Sequence, residues 1–372
     1  MVLSKNDKQR LDCFLTKIQK DSDGFLGYPS AKDFDFSIFN DYFHFPFNNI
    51  GDPFNDGSFK VTSKEFEREV LQEMATLLRA PEDDWWGYVT NGGTEGNLYG
   101  LYLARELHPN AIVYFSQASH YSVTKNLHFL NMRHIMIREQ ENGEMDYDDL
   151  AETLNIHRDV PAIIFANIGT TMTEAKDDIE RIQSILDDFA IVNRYIHCDA
   201  ALSGIIAPFL TPRPAFDFAD GADSVAISGH KFIGSPIPCG IVLAKKHSVD
   251  RIAQSIAYIG TLDTTVSGSR NGLTPLFLWY ALRHFGTDGM RVRVNESLAV
   301  AAYAADRLND IGIAAWRNEN AITVVFPSPG PAIREKWQLA TNGDQSHIVA
   351  IPGIENSDID QFVNDMKAEL EN

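Results

Sequence analysis

The chain has 372 residues, 44% hydrophobic and 22% charged, with 51 acidic against 32 basic side chains and a net charge of −19. That length accommodates one large domain and a smaller one, and the acidic balance argues against a nucleic-acid or anionic-membrane surface, which needs clustered Lys and Arg. Cys13, Cys198 and Cys239 are too few and too scattered for a disulfide framework or a zinc knuckle, so no metal is expected.

The first eight residues carry charges where a signal peptide needs an apolar core, and no apolar run reaches the ~18 residues of a membrane span, so a cytoplasmic protein is expected. Residues 4–20 have helical periodicity, with Leu11, Phe14, Leu15 and Ile18 on one face. Residues 24–59 form an irregular arm with eleven aromatics, among them Tyr28, Phe34, Phe36, Phe39 and Phe47. Such an arm packs on its own domain or wraps a second subunit. A helix is predicted over 63–79, with Thr62 and Glu65 in capping-box spacing. A strand over 85–90 leads into the turn Asn91-Gly92-Gly93-Thr94-Glu95-Gly96-Asn97, and a helix follows over 98–107. Short apolar strands at 111–115, 133–137, 162–166, 195–198, 224–228 and 240–244 then alternate with helices near 120, at 147–154 and at 176–189. That alternation predicts an α/β fold with a mostly parallel sheet covered on both faces. The stretch Ser267-Gly268-Ser269-Arg270 interrupts the pattern, and a long helix spans 275–308. Strands at 321–326 and 347–351 with helices at 331–339 and 358–370 predict a smaller C-terminal α+β unit. The expected organisation is an arm over 1–60, a large domain over 61–285 and a small domain over 286–372.

In an open parallel sheet, ligands bind beyond the carboxyl ends of the strands, and four candidates fall there. Gly92-Gly93-Thr94 is either a plain turn or an anion cradle at a helix N-terminus. Asp199 ends an apolar strand, so it either caps the next helix or meets a buried cationic partner. His120 is a capping or core histidine, or lies over a ligand. Lys231 follows Ser228-Gly229-His230 after a mostly apolar run, where burial and a neighbouring cation lower a lysine pKa and free its amine for imine formation; otherwise it is a solvated strand end. A glycine turn, a His, an Asp and then a Lys, in that order, suit pyridoxal 5′-phosphate better than any one of them alone.

The motifs Tyr88-Val-Thr-Asn-Gly-Gly-Thr-Glu-Gly-Asn97, His120-Tyr-Ser-Val123, Phe165-Ala-Asn-Ile-Gly-Thr-Thr171, His197-Cys-Asp-Ala-Ala-Leu-Ser-Gly204 and Ser228-Gly-His-Lys231 resemble those of the group II pyridoxal-phosphate-dependent amino-acid decarboxylases. Within that group the resemblance is to the bacterial histidine decarboxylases, and it covers nearly the whole chain. It implies the fold-type I architecture, a homodimer or dimer of dimers with the active site at the subunit interface, and an amino-acid substrate, L-histidine. Carried over by position, the resemblance makes Lys231 the Schiff-base lysine, Asp199 the partner of the pyridine nitrogen and His120 the ring stacked on it. Gly93, Thr94, Ser228 and His230 become neighbours of the phosphate; Thr171 and Ala201 complete the cofactor contacts. His120 and Tyr28 become substrate contacts, and Ser267 and Ser269 reach the phosphate of the neighbouring subunit. The larger animal enzymes have a longer loop with a tyrosine that reprotonates the product; here the nearest candidate is Tyr258. Two other readings stay open. Another enzyme on this fold, a serine decarboxylase or an aminotransferase, would be told apart by its products. A non-catalytic binding module would lack a borohydride-sensitive visible band.

Overall fold

Six of the seven main apolar runs are buried along almost their whole length, which in a pleated strand means that both faces are covered. The computed structural model describes residues 3–22, 24–256 and 261–371. In chain order its main elements are α1 (Lys5–Ser22), α2 (Lys64–Leu77), β1 (Trp86–Thr90), α3 (Gly93–Leu107), β2 (Ile112–Ser116), α4 (Ser122–Phe129), β3 (Arg133–Ile137), α5 (Tyr147–Ile156), β4 (Ala162–Asn167), α6 (Ile179–Asp188), β5 (Arg194–Asp199), β6 (Ser224–Ser228), β7 (Gly240–Ala244), the single turn α7 (Lys246–Val249) and α8 (Thr274–Asp310). The sheet order is β1-β7-β6-β5-β4-β2-β3. Only β7 runs against the others, pairing antiparallel with both β1 and β6. The remaining six strands therefore share one direction, and their carboxyl ends lie along one edge of the sheet. The more exposed β3 is an edge strand.

Helix α3 starts five residues earlier than its sequence predicts, at Gly93 and not Leu98. Glycine is a poor helix former, but here its missing side chain lets the helix approach the sheet. A Cβ on Gly96 would lie 2.9 Å from Ala226 Cβ, and one on Gly100 would lie 2.1 Å from His197 Nδ1. Gly92, at φ 151°, makes the turn into the helix. The Thr62–Glu65 capping box does not form. Thr62 Oγ1 accepts from the Lys64 N–H at 3.1 Å, while Ser63 Oγ donates to the Gly272 carbonyl at 2.6 Å.

The chain divides into two compact units, residues 30–296 with 351–353, and residues 1–29 with 297–350 and 354–372. The sequence boundary near 285 coincides with a break in α8 at Gly286 (φ 58°), whereas the units part at 296/297. Within the large unit, the arm's Phe36, Phe39 and Phe47 pack with Leu276, Phe277 and Tyr280 at the start of α8. The smaller unit has a three-stranded antiparallel sheet, Thr323–Pro327, Gln345–Val349 and Ala340–Asn342, and the helices Pro331–Lys336 and Asn356–Leu370. The segment before residue 30 is tied to it through Leu26, whose N–H donates to Trp337 O and whose carbonyl accepts from Val349 N–H.

Candidate active site

A cleft opens over the carboxyl ends of β1, β2, β4, β5 and β6. Gly93, Thr94, Asn97, His120, Ser122, Asn167, Thr170, Thr171, Asp199, Ala201, Ser228, His230 and Lys231 line it, around about 590 Å³ of space that is partly open to solvent. All the cofactor positions expected from sequence therefore meet in one place. The sheet supplies the reason, because each of these residues is at a strand end or opens the element that follows one.

Lys231 is half-buried on the turn after β6, and its carbonyl accepts from the Ala31 N–H at 3.2 Å. Burial holds its ammonium pKa below the ordinary lysine value, and the nearby Asp199 carboxylate opposes that shift. Asp199 is buried at the end of β5. Its Oδ1 accepts from the Ala201 N–H at 3.1 Å and its Oδ2 from Asn97 Nδ2 at 2.8 Å. Asn97 Oδ1 lies 2.9 Å from His197 Nε2, and His197 Nδ1 lies 2.7 Å from Ser224 Oγ. Gly93 sits against Ser228, where an added Cβ would come within 2.8 Å of the hydroxyl. Bare first-turn N–H groups and a serine hydroxyl thus stand side by side. His230 engages Cys239 through Nδ1, 2.9 Å from the carbonyl oxygen, which leaves Nε2 as the atom it can offer the cleft.

His120 begins the turn into α4. Its Nδ1 accepts the Ser122 N–H at 3.3 Å and lies 2.8 Å from Ser122 Oγ. An accepting Nδ1 places the proton of the neutral ring on Nε2. Burial lowers the His120 pKa; Asp199 opposes this and Lys231 adds to it.

The loop after β4 also lines the cleft. Thr170 is buried, with Oγ1 2.9 Å from Thr173 Oγ1, and Thr171 is exposed beside it. Asp177 clamps the loop, accepting from the Asn167 N–H at 2.7 Å and the Met145 N–H at 2.8 Å.

Other expected residues lie elsewhere. Ser267 Oγ donates to Glu95 Oε1 at 3.0 Å, and Ser269 Oγ accepts from Asn48 Nδ2 at 3.2 Å. Arg270 does not extend with them, because its buried guanidinium pairs with Glu67 and donates to the Gly51 carbonyl at 2.9 Å. Tyr28 belongs to the smaller unit and is 56% exposed. Tyr258 lies outside the described residues. Sequence reasoning assigned no role to Asn97, Ser122, Asn167 or His197. The usable signal was the spacing of Gly93, Gly96 and Gly100, which marks the face of α3 pressed on the sheet and carries Asn97 with it.

Residues 54–326 match the pyridoxal-dependent decarboxylase conserved domain. The chain is 51% identical to the histidine decarboxylase of Mesorhizobium japonicum, over 97% of this chain and 98% of that one. It is 45% identical to that of Morganella morganii, over 100% and 99%. Among solved structures it is similar to L-methionine decarboxylase from Streptomyces sp. 590, with a TM-score of 0.90 and 25% identity over 99% and 95% of the two chains. The glutamate decarboxylase of Lactobacillus brevis shares the fold, with a TM-score of 0.82 at 18% identity, over 100% and 93% of the chains.

Proposed function

Since the chain belongs to the pyridoxal-dependent decarboxylase family, we propose that it converts L-histidine to histamine and CO2 with pyridoxal 5′-phosphate. The observation that carries this is the meeting of a desolvated lysine, a buried carboxylate and a histidine in one cleft of a chain similar over its full length to histidine decarboxylases.

The residues fit the cofactor. Lys231 has the lowered pKa that a covalent attachment point needs. Asp199 is the one carboxylate among the lining residues and would face the ring nitrogen. The Gly93–Ser228 contact leaves room for a phosphate that any side chain at residue 93 would fill, with Thr94 and His230 at its rim. Thr171 and Ala201 would complete the cofactor contacts. When bound, the cofactor supplies the sink for the electron pair left on Cα as CO2 departs. Asp199 supplies a fixed negative charge at the floor of the cleft. His120, neutral near pH 7 with its proton on Nε2, offers a donor to the substrate carboxylate or a proton to move. Tyr28 is proposed as a second substrate contact. The assembly is proposed to be a homodimer or dimer of dimers in which Ser267 and Ser269 serve the neighbour's phosphate site. Cys13, Cys198 and Cys239 are all free thiols, which suits a cytoplasmic setting.

The test measures CO2 and amine production across the amino acids. L-Histidine should give histamine, and Lys231→Ala and Lys231→Arg should both abolish turnover, since guanidinium stays protonated. A keto-acid product would indicate transamination, and preference for another amino acid would overturn the substrate assignment. Full activity in Lys231→Ala would overturn the site.

A further inference from the structure

We infer that Asn97 is a positioning residue, held in a single orientation by His197 and Ser224, and that this buried chain fixes one proton order beneath Asp199. The inference rests on the proposed function, in which Asp199 faces the ring nitrogen of the cofactor.

The order follows from what each atom can do. An ionised carboxylate only accepts, so the Asn97 atom 2.8 Å from Asp199 Oδ2 is the amide nitrogen. The amide oxygen then faces the other way, 2.9 Å from His197 Nε2. A carbonyl oxygen cannot donate, so Nε2 carries the imidazole proton. Nδ1 is left bare and accepts from Ser224 Oγ at 2.7 Å. Asn97, His197 and Ser224 are all buried, so water does not compete for these bonds. The missing side chain at Gly100 lets α3 close on the His197 ring, and Gly96 does the same against Ala226. The network therefore depends on how closely the helix meets the sheet. Burial also drives the His197 pKa down to about 3, so the ring adds no charge near neutral pH.

The consequence for Asp199 is specific. Each of its oxygens takes a hydrogen bond from a neutral donor, Ala201 N–H on Oδ1 and Asn97 on Oδ2. Neither donor carries a charge, so neither cancels the charge of the carboxylate. A lysine or arginine in place of Asn97 would pair with the carboxylate and compete with the ring nitrogen.

Three measurements test this. Ring-nitrogen NMR of isotope-labelled histidine in the wild-type protein, assigned against His197→Gln, should show His197 as the Nε2–H tautomer with no titration between about pH 5 and 8. An Nδ1–H tautomer, or a ring that titrates there, overturns the proton order. Asn97→Leu removes the donor at similar volume; kcat should fall roughly ten- to hundred-fold with little change in KM, and the apoprotein should bind cofactor more weakly. Asn97→Asp keeps the shape and reads the pH. When protonated, the new carboxyl donates as the amide does; when ionised, it faces Asp199 as a like charge. Its kcat relative to wild type should therefore fall as pH rises. A ratio independent of pH would make Asn97 merely structural. If the wild-type protein takes up no pyridoxal phosphate, the proposed function fails, and the tautomer measurement still decides the proton order.

Discussion

A lysine amine attacks a carbonyl only when it is unprotonated, and burial is what supplies that form at Lys231. The neutral fraction rises with pH and levels off above the folded pKa, which here lies below the ordinary value of about 10.4. The rate at which apoprotein regains its visible band on adding cofactor should therefore plateau below the ordinary lysine range. Asp199 opposes the shift, so Asp199→Asn should move the plateau to still lower pH. The same substitution should cut turnover by more than about tenfold, or ~1.4 kcal/mol. A plateau at the ordinary lysine pKa would mean that Lys231 is solvated in the working protein. His120 separates two roles by magnitude. Ring stacking is worth roughly 0.5–1.5 kcal/mol, whereas general acid–base work is worth ~10²–10⁴ in rate. His120→Phe keeps a flat ring and loses Nε2–H, so it should retain cofactor affinity and lose more than about tenfold in kcat. Near-normal decarboxylation by that variant would leave only stacking, and loss of cofactor would make the histidine structural.

At the scale of elements, the loop between β4 and α6 is held by Asp177. Burial pushes the Asp177 pKa up to about 6, against hydrogen bonds from Asn167 and Met145 that pull it down. The native state thus binds more protons than the unfolded chain between about pH 4 and 6, and stability contributed by this group falls as pH rises through that window. In thermal melts over that range, wild-type stability should decline relative to Asp177→Asn, which has no charge to bury. Parallel slopes for the two proteins would refute the assignment. The loop also shows what the sequence could reveal. Strand ends were legible because short apolar runs alternate with helical periods, and Lys231, Asp199 and His120, which line one cleft, were singled out because they stand at or just beyond those ends. Features set by distant partners were not legible. Thr62 donates to Asn49 Oδ1 at 3.0 Å and closes no capping box with Glu65, its neighbour Ser63 donates to the Gly272 carbonyl, 209 residues away, and α3 absorbs its glycines because they meet Ser228, Ala226 and His197. Asn97 was hidden for the same reason, since its partners Asp199 and His197 lie 102 and 100 residues downstream.

At the scale of the whole molecule, the single chain leaves an apolar surface uncovered. Leu11, Phe14, Leu15 and Ile18 form one face of α1 and are 57, 59, 57 and 44% exposed, and α1 buries none of its residues. Exposed apolar faces of that kind often serve as interaction sites, so we propose that this one is a contact between subunits. Sedimentation should show a dimer or larger assembly, and Phe14→Glu combined with Leu15→Glu should weaken it. Whether the site is shared between subunits needs a sharper experiment, because a dimer could carry two independent sites. Ser267 and Ser269 sit on the loop around Gly268, exposed and anchored to Glu95 and Asn48. If that loop serves the neighbour's phosphate site, two inactive variants should complement each other. One carries Lys231→Ala; the other carries Ser267→Asp and Ser269→Asp, whose charges repel phosphate. In a hybrid dimer, the lysine of the second chain is served by the intact loop of the first, so one site is whole. After unfolding and refolding an equal mixture, roughly a quarter of the sites should work, because half of randomly paired dimers are hybrids with one whole site each. If the loop served its own chain, every site would carry a defect and mixing would restore nothing.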